Sequence, residues 1–503
     1  MLLSKQTIQS VYSNEKIDLP STEYFSLPEK VLQFGTGVLL RGLPDYFIDK
    51  ANKRGIFNGR IVVVKSTASG SADEFSKQGN LYTLCVKGID NGNLVEENIV
   101  NASISRVLSA TSEWDKILEC AIDPNIEIVI SNTTEVGLDL LKESIHQSPP
   151  VSFPAKLLAV LYKRFQYFKG DPGKGMIVIP TELIPDNGKK LLGVLKELCS
   201  FNELDSTFIN WLENHNHFCS SLVDRIVPGK LPTEKHKKTE AAFGYEDDLM
   251  IMSELYRLWA IEATDKKVYD KLSFAQADEG VVIAPDIFLF RELKLRLLNG
   301  AHTYSCGLAY LAGFNLVRDA MQDKNFTKYI SRLMHEEIVP AIVGNGITKE
   351  VAIDFSNKVL DRFRNPYIDH AWLSITLQYS SKMRMRNLPS LLKYYQLNNT
   401  VPKFMALGFA AHILFMQSKK NSSGKYEGEF SGKPYIVNDD RAEIYSARWQ
   451  NNGVSGIVHA ILSDKEFWGT DLSSLPGFEK AVEEYLNILI TQGANTAIAN
   501  LSI

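Results

Sequence analysis

The sequence predicts an α/β fold in its first part and a mostly α-helical fold in its second. Three observations carry this. Short apolar runs recur at Val31–Phe34, Arg60–Val64, Ile126–Ile130 and Met176–Pro180, each read as a buried strand, with helical patterns between them. The first run ends in closely spaced glycines, Gly35-Thr36-Gly37. After about Ile283 the strand-like runs stop and nearly everything to Ile503 reads helical. Strand–helix–strand repetition implies a largely parallel sheet with helices on both faces.

The glycines identify the first part as a Rossmann-type dinucleotide-binding domain. An apolar strand that runs into glycines before a helix lets the backbone turn tightly and approach a pyrophosphate, which the helix N-terminus attracts. Phe34, Gly35, Thr36, Gly37, Val38 and Arg41 are the expected contacts. The third glycine of the usual pattern falls at Leu40 instead, and Gly42 follows two positions later. The second strand leads to Lys65-Ser66-Thr67, where an acidic residue usually meets the ribose, so Lys65 and Ser66 join the cofactor set and Lys65 suits a 2′-phosphate on its own chemistry. Tyr82–Ala102 holds Asn91-Gly92 between alternating runs and predicts a hairpin. Polar turns Ser131–Glu135 and Thr181–Gly188 follow the later strands and place Thr133 and Asn187 near the expected site. The domains are expected to be 1–285, binding the cofactor, and 286–503, mostly helical and carrying substrate and catalysis.

Bulk properties exclude several classes. The chain has 503 residues, 45% hydrophobic and 23% charged, with a formal charge of −4. There is no basic footprint for nucleic acid. The lysine-rich Lys230–Lys238 reads as a solvated loop, as does Gln417–Lys433. The longest apolar stretch, Phe404–Met416, is too short for a bilayer, which needs about 20 residues. No secretory h-region opens the sequence. Five widely spaced cysteines without a CxxC pair favour a reducing compartment over disulfides or structural zinc. His215 and His217, without nearby partners, read as a surface loop, and no metal is expected. A cytoplasmic enzyme with a small-molecule substrate, no nucleic-acid partner and no membrane is the expectation.

The chemistry concentrates in Arg291–Ser305 (RELKLRLLNGAHTYS). On an ideal α-helix at about 100° per residue, Arg291, Asn299 and His302 fall within about 140° of Lys294, and Arg296 and Gly300 fall opposite. An amine, an amide, an imidazole and a guanidinium on one side suit a polar cleft. Lys294, Asn299 and His302 together read K-x(4)-N-x(2)-H. With Phe218–Pro228 (FCSSLVDRIVP), Arg41-Gly42 and Arg362–Pro366 (RFRNP), this pattern resembles the mannitol dehydrogenase family of long-chain polyol and sugar-acid dehydrogenases. The pieces VLQFGTGVLLRG, IVVVKST, SNTTEVG and PTELIPDNG make the sugar-acid members the better match.

The resemblance implies NAD(H) as cofactor, no metal, and an active site between the two domains. It implies Lys294 as general base, with Asn299 and His302 polarising the reacting oxygen. An ordinary lysine pKa of about 10.4 must then be lowered by burial or by a cation such as Arg291. Two departures stand out. Polyol members carry an asparagine where this chain has Leu183, which leaves Asn187 or Glu182 to contribute, and a glutamate where it has Arg291. A guanidinium can hold a sugar-acid carboxylate through paired hydrogen bonds, so Arg291 is the expected carboxylate reader, with Asn187, Arg362 and Lys382 as further substrate contacts. Asp224, in the V-D-R stretch, is assigned to the cofactor side, with a buried Asp224–Arg225 pair fixing a loop as the alternative.

Overall fold

The computed structural model describes residues 1–8, 17–66 and 72–502. Thr67 lies outside them. The chain forms two compact units, Met1–Gly88 with Leu94–Ile287, and Phe288–Ile503 with Ile89–Asn93.

The first unit is built on a parallel sheet. Its strands in chain order are β1 (Glu29–Phe34), β2 (Arg60–Lys65), β3 (Tyr82–Asp90), β4 (Asn93–Asn101), β5 (Ile104–Ser109), β6 (Ile128–Ser131), β7 (Ile177–Pro180), β8 (His217–Phe218), β9 (Ser221–Asp224), β10 (Ile251–Glu254), β11 (Leu258–Glu262) and β12 (Val281–Ala284). Six of them pair in the order β5-β2-β1-β6-β7-β8, all parallel. Strand order reverses beside β1, which opens a crevice at the carboxyl ends of β1 and β6. Period-two alternation sorts the apolar side chains. Val31, Ile61, Val63, Ile128, Ile130 and Ile177 enter one core, and Leu32, Phe34, Val62, Val64, Val129 and Val178 enter the other. Helices α1 (Val38–Gly42) and α2 (Pro44–Lys53) feed the first core, and Phe153–Tyr167 and Asn187–Phe201 the second.

Two three-stranded sheets join this frame. The predicted hairpin is β3–β4, and its turn residues Asn91 and Gly92 take φ of 48° and 80°, as a tight two-residue turn requires. β10 adds to it in parallel. β9, β11 and β12 form the other sheet.

The second unit is helical apart from a small antiparallel sheet of β13 (Lys419–Lys420), β14 (Tyr426–Phe430) and β15 (Lys433–Ile436). That sheet corrects the expected loop over Gln417–Lys433. The lysine-rich segment is also ordered, because Thr233–Phe243 is an exposed helix that begins after Pro232 and ends at Gly244. His215 closes a helix and His217 lies in edge strand β8, so neither sits in a loop. Phe404–Met416 is the buried helix Lys403–Phe415 with its C-cap, and among the described residues no helix is long and apolar enough to cross a membrane.

Candidate active site

In the first unit the glycine loop has the geometry the sequence demands. Gly35 adopts φ +124°, a conformation closed to side chains, and a Cβ there would lie 2.9 Å from Leu40 Cδ1 and 3.2 Å from the Asn132 carbonyl. Leu40, in place of a third glycine, is fully buried and packs over that turn. Gly42 takes the close-approach role two positions later, because a Cβ would meet Val227 at 2.8 Å. Gly37 caps α1 at φ −60° with nothing within 4 Å of its Cβ position.

Not every residue assigned to this loop reaches it. The Phe34 side chain is buried in the core against Phe153 at 5.1 Å, so only its backbone borders the turn. Arg41 points inward, lies over Phe75 and Tyr82, and donates to the Leu249 carbonyl at 2.7 Å. Burial lowers its pKa. It is a structural anchor here and not the expected cofactor contact. Lys65 ends β2 and is buried, while Ser66 beside it is exposed.

The loops after β6 and β7 brace one another. Glu182, itself buried, accepts from Thr133 N at 2.9 Å, Thr133 Oγ1 at 3.1 Å and Ser131 Oγ at 3.3 Å, and burial raises its pKa. Asn187 is fully buried. Its Nδ2 donates to the carbonyls of Pro180, Glu182 and Ser221, and its Oδ1 accepts from the N–H groups of Gly188 and Ser221. That amide is fully engaged in joining strand ends, which corrects its assignment to substrate. Leu183 and Val136, on the loops after β7 and β6, stand exposed. Asp224 is buried at the end of β9. Arg225 donates to the carbonyls of Glu254 and Gly42 and lies 4.5 Å over Tyr46, so the tie it makes runs to α1.

The second unit holds the K-x(4)-N-x(2)-H segment, but not as one ideal α-helix. Phe288–Glu292 is α-helical, Leu293–Gly300 is π-helical, and Ala301–Leu311 is α-helical again. In a π-helix hydrogen bonds run from residue i to i+5, so a residue lies close to the one five positions on. Lys294 and Asn299 are five apart and share a face, closer than the 140° of the ideal wheel. Arg291 precedes this change of pitch. A second π segment, Met383–Asn387, packs on the first. Arg296 holds the two together. It pairs with Glu292 at 3.0 Å and donates to the carbonyls of Met385 and Arg386 at 2.7 and 2.9 Å. Asn387 Nδ2 donates back to the Gly300 carbonyl at 3.3 Å.

His302 is the centre of the site in this unit. It is buried, stacks on Phe363 at 4.1 Å, and meets the edges of His370 and Trp372. Among the described residues its Nε2 has no hydrogen-bond partner. Burial, then His370, Arg362, Arg386 and Lys382, hold its pKa well below the ordinary value. The imidazole is therefore neutral, and with a proton on Nε2 it is a donor awaiting an oxygen. Asn299 is half-buried, and among the described residues its amide has no partner. Arg362 is buried in Lys349–Arg364, and Lys382 Nζ donates to the Ile375 carbonyl at 2.8 Å. His370 and Arg386 were not singled out from sequence. Each belongs to this cluster only through tertiary packing. Among the described residues no group of three His, Cys, Asp or Glu side chains could hold a metal ion.

A parallel sheet with a glycine turn at its switch point, and a helical unit presenting lysine, amide and imidazole donors, define a nucleotide-dependent oxidoreductase. Residues 29–272 match the mannitol dehydrogenase Rossmann domain and residues 286–490 the mannitol dehydrogenase C-terminal domain. The chain belongs to the mannitol dehydrogenase family and is a dehydrogenase. It is 35% identical over 485 residues to altronate oxidoreductase of Bacillus subtilis (strain 168), covering 95% of this chain and 96% of that one. To altronate oxidoreductase of Yersinia enterocolitica it is 36% identical over 488 residues, covering 95% and 98%. The solved mannitol 2-dehydrogenase of Pseudomonas fluorescens, in ternary complex with NAD and D-mannitol, shares the fold. It has a TM-score of 0.70 at 23% identity and covers 100% of this chain and 99% of that one.

Proposed function

We propose that this protein interconverts D-altronate and D-tagaturonate with NAD(H), using Lys294 as the acid and base. The observation that carries the reading is His302 Nε2, a buried polar atom without a protein partner. A buried donor left unpaired is destabilising by about 1–3 kcal/mol, and a substrate oxygen at that place removes the penalty. The relatives named altronate oxidoreductase supply the substrate.

The glycine loop fits the cofactor. The open space at the Gly37 Cβ position leaves room for a pyrophosphate against the backbone at the head of α1. Gly35, Thr36, Gly37, Val38, Lys65, Ser66 and Thr133 border that loop or the crevice beside it. Bound there, the nicotinamide would take up or supply the hydride. In the oxidative direction the hydroxyl on the carbon next to the terminal CH2OH of altronate gives its proton to Lys294 Nζ as the C–H bond of that carbon breaks, and the ketone of tagaturonate results. Asn299 and His302 donate hydrogen bonds to the same oxygen as its negative charge grows. In the reductive direction Lys294 returns the proton. Arg291 remains a candidate contact for the substrate carboxylate. The five cysteines are buried free thiols, which fits a cytoplasmic location.

The test is NADH oxidation by the purified protein with tagaturonate, fructuronate and fructose, with NADPH as a control because Lys65 stands where an acid usually does. Tagaturonate with NADH is the expected preference. Lys294→Ala should lower kcat by about 100-fold or more. A preference for fructuronate or fructose overturns the substrate, and full activity in Lys294→Ala overturns the mechanism.

A further inference from the structure

Among the described residues, one cation that acts on His302 has no ion-pair partner. Arg386 lies in the π segment Met383–Asn387 and is half-buried. Among the described residues its guanidinium makes a single hydrogen bond, from Nη1 to Thr303 Oγ1 at 3.3 Å. Among the described residues it makes no ion pair with a carboxylate. Its remaining N–H groups are not sealed from solvent, because none is a buried unpartnered atom. The arginines around it differ. Arg296 is neutralised by Glu292 and Arg364 by Asp361, while Arg384 is exposed and lies over Phe467. Lys382, one turn before Arg386, is also half-buried, and among the described residues its one hydrogen bond goes to a backbone carbonyl. The two cations repel one another, and both act on His302.

Asp439 acts on Lys382 from a distance, but among the described residues neither cation is ion-paired, and two such half-buried cations become more favourable when an anion arrives. Thr303 holds one edge of the Arg386 guanidinium, and the planar fork leaves paired donors for a carboxylate. Arg386 acts on the charge of His302 and is held by Thr303, the next residue, so that carboxylate would lie within the length of one six-carbon sugar acid of the oxygen that His302 receives, at the opposite end of the substrate. The sugar-acid substrate has such a group and a neutral polyol does not.

We propose that Arg386, assisted by Lys382, is the residue that reads the substrate carboxylate and sets the preference for sugar acids over neutral sugars. This rests on the reading of the site as a sugar-acid dehydrogenase and names a residue that reading does not use.

The test compares wild type, Arg386→Gln and Arg386→Lys in two assays. In turnover with NADH, the ratio of kcat/KM for tagaturonate to that for fructose should fall on the order of 100-fold in Arg386→Gln, mainly through KM. Arg386→Lys, which keeps charge but not the fork, should recover part of it. In thermal shift, D-altronate, D-mannonate and D-gluconate should each stabilise wild type more than D-mannitol does, and Arg386→Gln should erase that difference. Equal loss on tagaturonate and fructose, or an aldonate shift that survives Arg386→Gln, overturns the proposal. If aldonates stabilise wild type through Arg386 but tagaturonate is not turned over, the altronate reading fails and the carboxylate site stands. If Arg386→Gln shows no melting transition, the ratio and the shift are read from Arg386→Lys. There, wild-type values overturn the proposal and reduced ones support it.

Discussion

Two glycines of one turn, separated only by Thr36, make opposite predictions. Alanine at Gly35 must hold φ near +124° and place a methyl 2.9 Å from Leu40 Cδ1. The backbone strain is about 1–3 kcal/mol. Leu40 is fully buried and cannot swing into solvent, so overpacking adds a similar amount, about 1–3 kcal/mol. At a middle value of about 4 kcal/mol the melting temperature should drop by roughly 8–16 °C. Alanine at Gly37 keeps an allowed φ of −60° and meets nothing within 4 Å. Its effect on stability should stay within about 0.5 kcal/mol. The added methyl does occupy the space proposed for the pyrophosphate, so the NADH dissociation constant should rise about tenfold, a penalty of about 1.4 kcal/mol. Thermal melts and NADH fluorescence titrations of both variants make the comparison. Wild-type NADH affinity in Gly37→Ala refutes the placement of the pyrophosphate. A Gly35→Ala protein that melts with wild type refutes the strain argument.

Other outcomes follow from the second unit. Arg296→Met unties the two π segments, and removing its bonds to Met385 and Arg386 carbonyls should lower stability by about 1.5–3 kcal/mol and reduce kcat; unchanged kcat would show that the clamp does not position the site. His412 is fully buried between Tyr379 and Tyr445, and burial lowers its pKa to about 3. The unfolded chain binds a proton below about pH 6.5 that the folded one refuses, so stability is full above that pH and falls as pH drops towards 3. Between pH 6.5 and 5 the loss is about 2 kcal/mol, and in urea melts His412→Phe should narrow the gap between pH 7 and pH 5; an equal gap in both proteins would remove His412 as its source. In the proposed mechanism Lys294, Asn299 and His302 supply the polarising donors, so activity should survive exhaustive chelation, and its loss, restored by a divalent metal, would contradict the mechanism.

The first unit was legible because its signals are local. Val31–Phe34 and Arg60–Val64 alternate between two cores, and Asn91-Gly92 takes the left-handed angles that favour those two residue types. Thr233–Phe243 was missed because it is polar on every side, so no apolar stripe announces a helix. The strands at Tyr426–Phe430 and Lys433–Ile436 are short and glycine-linked, and their pairing shows only once they meet. In the candidate site, the residue types of Lys294, Asn299 and His302 could be read directly. The assignment of Asn187 failed because a motif position says nothing about how many bonds a buried amide already makes. Arg386 sits in Met383-Arg384-Met385-Arg386, which reads as an ordinary solvated basic stretch. Only its seat against Thr303 separates it from Arg384, which is exposed.

The change of pitch between Leu293–Gly300 and Ala301–Leu311 divides the proposed catalytic triplet between two gears. Lys294 and Asn299 turn with one, His302 with the other, and the phase between them depends on residue count as much as on residue identity. Deleting a single residue between Asn299 and His302 would rotate the imidazole by about 100° while leaving all three side chains in the chain. Relatives that keep the three residue types but differ in the spacing between them would therefore present a different constellation, and spacing is as informative as composition when sequences of this kind are compared.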